Sequence, residues 1–186
     1  TIAGNSLSLS GVVGGDVVTL SPTLVFADAL VGTGKTVSLT GSSLGGADAG
    51  KYSLSLAGAP TATASITAKT LTVGGSFTAH DKAFDKTTAA TIDVNGLALV
   101  GKVGADVVTL SPTLVFADAA VGTNKTVSLT GSAIGGADAG NYVLSLAGAP
   151  TALASITAKA LTISGSFAAS SKVYDGTVSA AISTNG

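Results

Sequence analysis

Aspartate supplies every carboxylate side chain in this sequence, and carboxylates are its best candidates for chemistry. The 186 residues include ten acidic and nine basic side chains and one histidine, and they contain no cysteine, arginine, glutamate or glutamine. Ca²⁺ prefers carboxylate oxygens. Among the aspartates, we take Asp81, Asp85 and Asp175 as the candidate calcium ligands. Asp in turns also accepts hydrogen bonds from nearby backbone amides. We predict no catalytic residue and no cofactor, with Ca²⁺ as the one metal left open.

Composition also excludes several functional classes. Ser and Thr are abundant, but nucleophilic catalysis needs an adjacent base, and His80 is the one histidine. A net charge of −1 without arginine offers no basic patch to neutralise phosphates. Apolar stretches are interrupted too often for a membrane-spanning helix. The sequence therefore predicts a protein that is not an enzyme, has no nucleic-acid partner and does not insert into membranes.

The chain repeats itself at a shift of 90 residues without a gap. The stretch from Asp16 to Ala29 recurs unchanged from Asp106 to Ala119, and G-G-A-D-A-G at 45–50 recurs at 135–140. A period of this length is too long for a solenoid coil and suits one small domain per repeat.

The domain boundaries follow from the alternation of apolar residues. Successive strand residues point to opposite faces, and the apolar set changes from even to odd positions at Lys69 and again at Lys159. We expect these two lysines to set the geometry between domains. Residues 1–69 are predicted to form a partial domain that lacks its first strands, and residues 70–159 a complete domain. Residues 160–186 would be the first strands of a next domain.

Short alternating segments separated by Gly and Pro turns predict an all-β fold, with no convincing helical periodicity. The motif D-A-G-x-Y occurs twice before an alternating strand and resembles the tyrosine corner of immunoglobulin-like β-sandwiches, in which the Tyr hydroxyl bonds upstream backbone. We therefore predict tandem immunoglobulin-like sandwiches joined end to end, with β-grasp-like repeats as the alternative. The structural residues of the motif are Asp48, Gly50, Tyr52, Asp138, Gly140 and Tyr142.

Several motifs resemble YDG/MBG-type tandem repeats of large bacterial haemagglutinin-like surface adhesins. The sequence K-V-Y-D-G-T at 172–177 contains Tyr174, Asp175 and Gly176, and a second motif is G-A-D-A-G-N-Y at 136–142. The middle copy of the first motif departs from the pattern, with Lys86 at the glycine position. If that position needs a positive φ, Lys86 is strained. The resemblance implies an extracellular, secreted protein at the bacterial cell surface, with these residues in a structural turn.

The predicted function is a structural stalk or fibre segment of such an adhesin, which projects a binding region or forms a matrix fibre. Its partners would be neighbouring repeats. Two alternatives stay open: a filament subunit that assembles head to tail with copies of itself by strand complementation, and a repeat that binds cell-surface or matrix glycans.

Overall fold

The computed structural model describes residues 6–185, and its regular structure there is β-strand with two short 3₁₀ turns, so the predicted all-β class is confirmed. We call residues 1–69 the first repeat and 70–159 the middle repeat. Within the first repeat the strands β1 to β5 are Thr19–Ser21, Leu24–Phe26, Gly32–Leu39, Ser43–Gly45 and Ala62–Ile66. The two 3₁₀ turns are Ala49–Lys51 and Ala139–Asn141.

Twelve further strands follow along the chain. The strands β6 to β9 are Lys69–Ala79, Lys82–Ala83, Ala89–Ala90 and Ile92–Val100. The strands β10 to β13 are Thr109–Ser111, Leu114–Phe116, Gly122–Leu129 and Ala133–Gly135. The strands β14 to β17 are Tyr142–Ser145, Ala152–Thr157, Phe167–Ala169 and Ile182–Asn185. No helix within residues 6–185 is long and apolar enough to cross a membrane.

The described chain groups into two compact units made of discontinuous segments. The first unit contains residues 6–76, 96–113 and 129–150, and the second contains the remaining described residues. These units follow spatial contact rather than the repeat, so the domain boundaries at 69/70 and 159/160 stay a prediction.

The first unit is built around a small apolar core. Its buried residues Leu71, Val108 and Tyr142 pack together, with Leu99 and Ile134 against them. Strand β14 runs parallel to β6, and Leu144 is the partner of Leu71 in that ladder. The antiparallel pairs β1–β4 and β10–β13 and the sheet β2-β3-β5 belong to this unit.

A five-stranded sheet of order β7-β15-β12-β11-β8 dominates the second unit. The apolar side chains of this sheet occupy alternate positions along the strands and point to its buried face, as expected for strands with one buried face. Proline cannot donate to a sheet ladder, and Pro112 separates β10 from β11 as Pro22 separates β1 from β2. The buried side chains of this unit include Phe77, Leu114, Phe116, Val127, Ala154 and Ile156.

Lys86 occupies a backbone conformation that favours glycine. Its φ is 69°, and its repeat counterpart Gly176 has φ 72°. The left-handed conformation costs an ordinary side chain roughly 1–2 kcal/mol. Lys86→Gly is therefore expected to raise the free energy of unfolding by about 1 kcal/mol, after allowance for glycine's greater unfolded-state entropy. Urea unfolding followed by circular dichroism measures the change.

Asn124→Gly is the matched control, because Asn124 has φ 51° and its counterpart Gly34 has φ 61°. Asparagine tolerates the left-handed region better than lysine does, so the control should gain less stability. A lower unfolding midpoint for Lys86→Gly would contradict the assignment of strain to this position.

Candidate functional site

A tyrosine, two aspartates and two backbone amides form the main polar cluster of the middle repeat. The Tyr142 hydroxyl donates to Asp106 Oδ2 at 2.5 Å and accepts from the Val103 amide at 2.9 Å. Asp138 Oδ2 accepts from the Val107 amide at 2.7 Å. The 3₁₀ turn before β14 directs the Tyr142 ring inward, where it is 7% exposed. The cluster therefore fixes the segment before β10 to the start of β14.

The first repeat contains the same cluster with an added cation. The Tyr52 hydroxyl donates to Asp16 Oδ2 at 2.6 Å and accepts from the Val13 amide at 3.0 Å. Lys51 Nζ lies 3.1 Å from Asp16 Oδ1 and 2.7 Å from Asp48 Oδ1. The ammonium thus joins the two carboxylates of this copy.

The middle repeat replaces that lysine with Asn141, which makes a different contact. Asn141 Oδ1 accepts from the backbone amide of Val31 at 3.0 Å. The two copies of the cluster therefore differ in charge, although their tyrosines bond in the same way.

The neighbours of these groups shift their pKa values in the directions that keep the phenol protonated and the carboxyl ionised. The hydrogen bond to Asp106, followed by burial, raises the pKa of the Tyr142 hydroxyl. The ion pair with Lys51 and the Val17 amide lower the pKa of Asp48. A phenol that holds its proton more tightly is a poorer base and nucleophile at neutral pH. The chemistry of this cluster is therefore hydrogen bonding between loops.

Tyr142→Phe is expected to lower the free energy of unfolding by about 1–3 kcal/mol, since Asp106 and the Val103 amide each lose a partner in a partly buried site. Tyr52→Phe should cost less, because Lys51 still pairs with Asp16. Urea unfolding of both variants gives the comparison. No loss for Tyr142→Phe would contradict a stabilising role for the middle cluster, and equal losses for the two variants would contradict the compensation by Lys51.

The K-x-x-D-x-T motif forms a closed loop around one ammonium group. Lys82 Nζ lies 2.9 Å from Asp85 Oδ1 and 2.7 Å from the Thr87 carbonyl oxygen. Asp85 Oδ1 also accepts from the Thr87 amide at 2.8 Å. Lys172 and Asp175 repeat the arrangement at 2.9 Å. The loop satisfies its own polar groups, which fits a structural turn.

Two more residues of the motif are seen in the copy at 172–177, and Lys82 makes one more contact in the middle copy. Tyr174 is 93% exposed, and Gly176 supplies the positive φ of the turn. In the middle copy, Lys82 Nζ lies 5.6 Å from the centroid of the Phe116 ring. A cation at this distance from an aromatic face is attracted to it, so Lys82 joins the loop to the apolar sheet.

The three candidate calcium ligands are engaged within the protein. Asp81 Oδ1 accepts from the Ser155 amide at 2.6 Å, while the lysines of the loop motif pair with Asp85 and Asp175. Within residues 6–185 no three acidic or histidine side chains gather into a possible metal site. Calcium binding stays a prediction that these contacts do not favour.

A second Asp–Lys pair closes the turn before β12. Lys125 Nζ lies 2.5 Å from Asp118 Oδ1, which also accepts from the Ala120 amide at 2.8 Å. The first repeat has the same pair in Asp28 and Lys35. These lysine side chains are only 12% and 13% exposed. The retention of both partners at the 90-residue shift was the sequence feature that could have identified this pair.

The other predicted structural residues lie at the ends of elements. Gly50 and Gly140 are the middle residues of the two 3₁₀ turns. Lys69 begins β6 and is paired with Tyr142 in the parallel ladder, and Lys159 is exposed just after β15. The sequence did not identify the aspartates that accept from the tyrosine hydroxyls, because they lie 36 residues away from them.

Acid should weaken the folded state through these carboxylates. The pKa of Asp85 is lowered to about 2, chiefly by Lys82 and then by the Thr87 amide. The pKa values of Asp118 and Asp175 are also lowered by their lysines. A carboxyl whose pKa is lower in the folded state stabilises it fully above the unfolded pKa of about 3.9. That contribution is lost as the pH falls toward the folded pKa.

The urea midpoint is therefore expected to fall between about pH 4 and pH 2. Asp85→Asn should make the fall shallower, because it removes a carboxyl whose pKa is lowered to about 2 in the folded state. A midpoint that stays constant over this interval would contradict the role of the Asp–Lys turns.

Comparison with known proteins identifies one family. No curated protein and no solved structure matches the chain. The family model of the YDG domain matches residues 1–63 and 67–152. That name is shared with SRA-YDG modules, which bind DNA and methylated cytosine, and the family is one of binding domains.

This match corrects four predictions. The assignment to haemagglutinin-like adhesin repeats is wrong, as are the adhesin, fibre and biofilm descriptions that followed from it. The stalk function with its filament and glycan-binding alternatives is wrong, and so is the partner prediction that excluded nucleic acid. The physical reason is that the motifs behind these predictions are turns, which report local backbone geometry and not a ligand. The match covers more than half of the chain, and the chain therefore belongs to the YDG domain family.

Proposed function

We propose that the chain is a non-enzymatic binding module and that its ligand is DNA. The observation that supports this proposal is the YDG domain match over both repeats, since SRA-YDG modules bind DNA that carries methylated cytosine. The geometry of the polar clusters supports the non-enzymatic part. Their tyrosines hold protons more tightly than usual, with a raised pKa in each. Their aspartates accept hydrogen bonds from the tyrosine hydroxyls, from Lys51 or from backbone amides.

We also propose that each repeat is an immunoglobulin-like β-sandwich. The support is the D-A-G-x-Y motif, which places a buried tyrosine at the start of β14 and resembles the motif that opens strand F of such folds. The Tyr142 hydroxyl bonds backbone 39 residues upstream, whereas the corner of those folds bonds backbone only a few residues away. The β-grasp alternative requires a short helix near residues 135–140, and it is less favoured because that segment contains only a three-residue 3₁₀ turn.

The distribution of charge determines what form DNA binding would take. Five of the nine lysines form ion pairs with aspartate, namely Lys35, Lys51, Lys82, Lys125 and Lys172. Each phosphate contact contributes roughly −0.9 to the slope of the logarithm of affinity against the logarithm of salt concentration. With few lysines available for phosphate, we expect a shallow salt dependence and an affinity that rests on contacts to bases and sugars.

Fluorescence anisotropy with a labelled duplex tests the proposal, using one probe with 5-methylcytosine and an otherwise identical unmodified probe. The expected result is saturable binding that is tighter for the methylated duplex and changes little with salt. Lack of saturable binding to both duplexes at low salt would overturn the proposal. Equal affinity with a steep salt dependence would also overturn it, because it would indicate non-specific attraction to phosphate.

The location of the chain, predicted from the resemblance as extracellular, stays a prediction.

A further inference from the structure

The middle repeat keeps two carboxylates whose counterparts bind an ammonium group in the first repeat. There, Lys51 Nζ lies 3.1 Å from Asp16 Oδ1 and 2.7 Å from Asp48 Oδ1. The residues at the same repeat positions in the middle repeat are Asp106 and Asp138. Neither of them takes part in an ion pair within the described part of the chain. The two carboxylates are therefore retained, although the lysine that joins them is not.

The hydrogen bonds that fix these carboxylates have the same geometry in the two copies. The tyrosine hydroxyl donates to the first aspartate at 2.6 Å in the first repeat and at 2.5 Å in the middle repeat. The second aspartate accepts from a valine amide at 2.8 Å and 2.7 Å, respectively. All four bonds use Oδ2 atoms, whereas the Lys51 ammonium contacts Oδ1 atoms. The Oδ1 atoms of Asp106 and Asp138 are thus held by the same contacts that prepare the first copy to bind an ammonium.

Asn141 takes the place of Lys51 and does not restore its positive charge. The Asn141 side-chain oxygen accepts from the Val31 amide at 3.0 Å, a contact outside the carboxylate cluster. Asp106 and Asp138 are half-buried, so a small ion can reach them from solvent. Two negative charges held at short range repel each other, and a cation between them removes that repulsion.

We propose that Asp106 and Asp138 form a binding site for the primary ammonium group of a small alkylamine. An ammonium carries three N–H donors, and its hydrogen bonds to carboxylates are strengthened by the charges of both partners. Ca²⁺ fits this pair less well, because it takes roughly six to eight oxygen ligands, and no three acidic or histidine side chains gather within residues 6–185. Ion pairs at partly exposed positions are weak, so the expected Kd lies in the millimolar range.

Nuclear magnetic resonance of the isotope-labelled full chain, titrated with n-butylammonium chloride, tests the proposal. The expected result is a saturable shift of the amide signals of Val103 and Val107, which bond directly to the cluster. The corresponding amides of Val13 and Val17 should not shift, because Lys51 already holds the carboxylates of that copy. Tetramethylammonium chloride is the control ligand. It carries the same charge without an N–H donor and should cause no saturable shift.

Exchanging the residues at positions 51 and 141 supplies matched variants. Asn141→Lys brings an ammonium to the middle cluster and is expected to weaken the binding of n-butylammonium there at least about tenfold. Lys51→Asn removes the ammonium from the first cluster and should create saturable shifts at Val13 and Val17. Each variant introduces the residue that the other repeat already has at that position, so both are expected to fold.

Three results would overturn the proposal. They are equal shifts in the two repeats of the unsubstituted chain, equal responses to n-butylammonium and tetramethylammonium, and the absence of a saturable shift at Val103 and Val107. Lys102 is exposed and adjacent in sequence to Val103, so the Lys102→Gln variant is titrated in parallel. Binding that occurs only in this variant would identify Lys102 as the group that fills the site in solution, and would likewise overturn the assignment to a small alkylamine.

Discussion

Phe116→Ala is expected to lower the free energy of unfolding by about 3–5 kcal/mol, which is the usual cost of truncating a buried phenylalanine. The Phe116 side chain is 2% exposed in β11 and is among the largest fully buried side chains of the described residues. Its removal leaves a cavity in the five-stranded sheet of the second unit and removes the ring beneath the Lys82 ammonium. Urea unfolding at neutral pH measures the loss.

Phe26→Ala is the matched control for this variant. Phe26 lies in the same sequence, D-V-V-T-L-S-P-T-L-V-F-A-D-A, but it is 38% exposed. Burial sets the cost of truncation, so the control should lose less than half as much stability. Similar losses at the two positions would show that the burial difference does not govern stability.

Leu71→Ala is expected to cost about 2–5 kcal/mol, the range for a fully buried leucine. Leu71 is 0% exposed, and it is the part of β6 that packs with Val108 and Tyr142. Leu161→Ala replaces the residue at the same repeat position, which is 91% exposed, and should change stability by less than about 0.5 kcal/mol.

Thermal and urea unfolding of both leucine variants provide the measurement. Both substitutions delete the same atoms, so any difference in the loss of stability between the two variants comes from the surroundings of the side chain. A loss of stability for Leu161→Ala close to that for Leu71→Ala would mean that Leu161 is buried in solution, contrary to the structure.

Much of the local architecture could be predicted from the sequence. Prolines after β1 and β10 and alternating apolar residues in β12 favour an all-β chain. Asn-Gly is a strong hairpin signal in a sequence, but Asn95 and Gly96 lie inside β9, which continues from Ile92 to Val100. A dipeptide that favours a hairpin can be overridden when its flanking residues extend a ladder with a neighbouring strand.

The polar site was only partly predictable. The D-A-G-x-Y motif indicated a tyrosine whose hydroxyl bonds upstream backbone, but not the carboxylate of Asp106, because sequence distance hides that contact. The K-x-x-D-x-T residues were singled out as a turn, while the ammonium of Lys82 at its centre was not. Function was less accessible, since these loops satisfy their polar groups internally and so reveal little about an external partner.

The identical stretches 16–29 and 106–119 separate what the sequence determines from what only tertiary structure decides. Both form two three-residue strands around a proline at the same relative positions, because proline and backbone propensity act locally. The two identical stretches differ in burial: Leu24 is 42% exposed, whereas its counterpart Leu114 is 5% exposed. Strand β8 pairs with β11 in the middle repeat, while β2 pairs only with β3 within residues 6–185. The sequence by itself therefore determined turns and strands, and the non-local partners decided which apolar faces form a core.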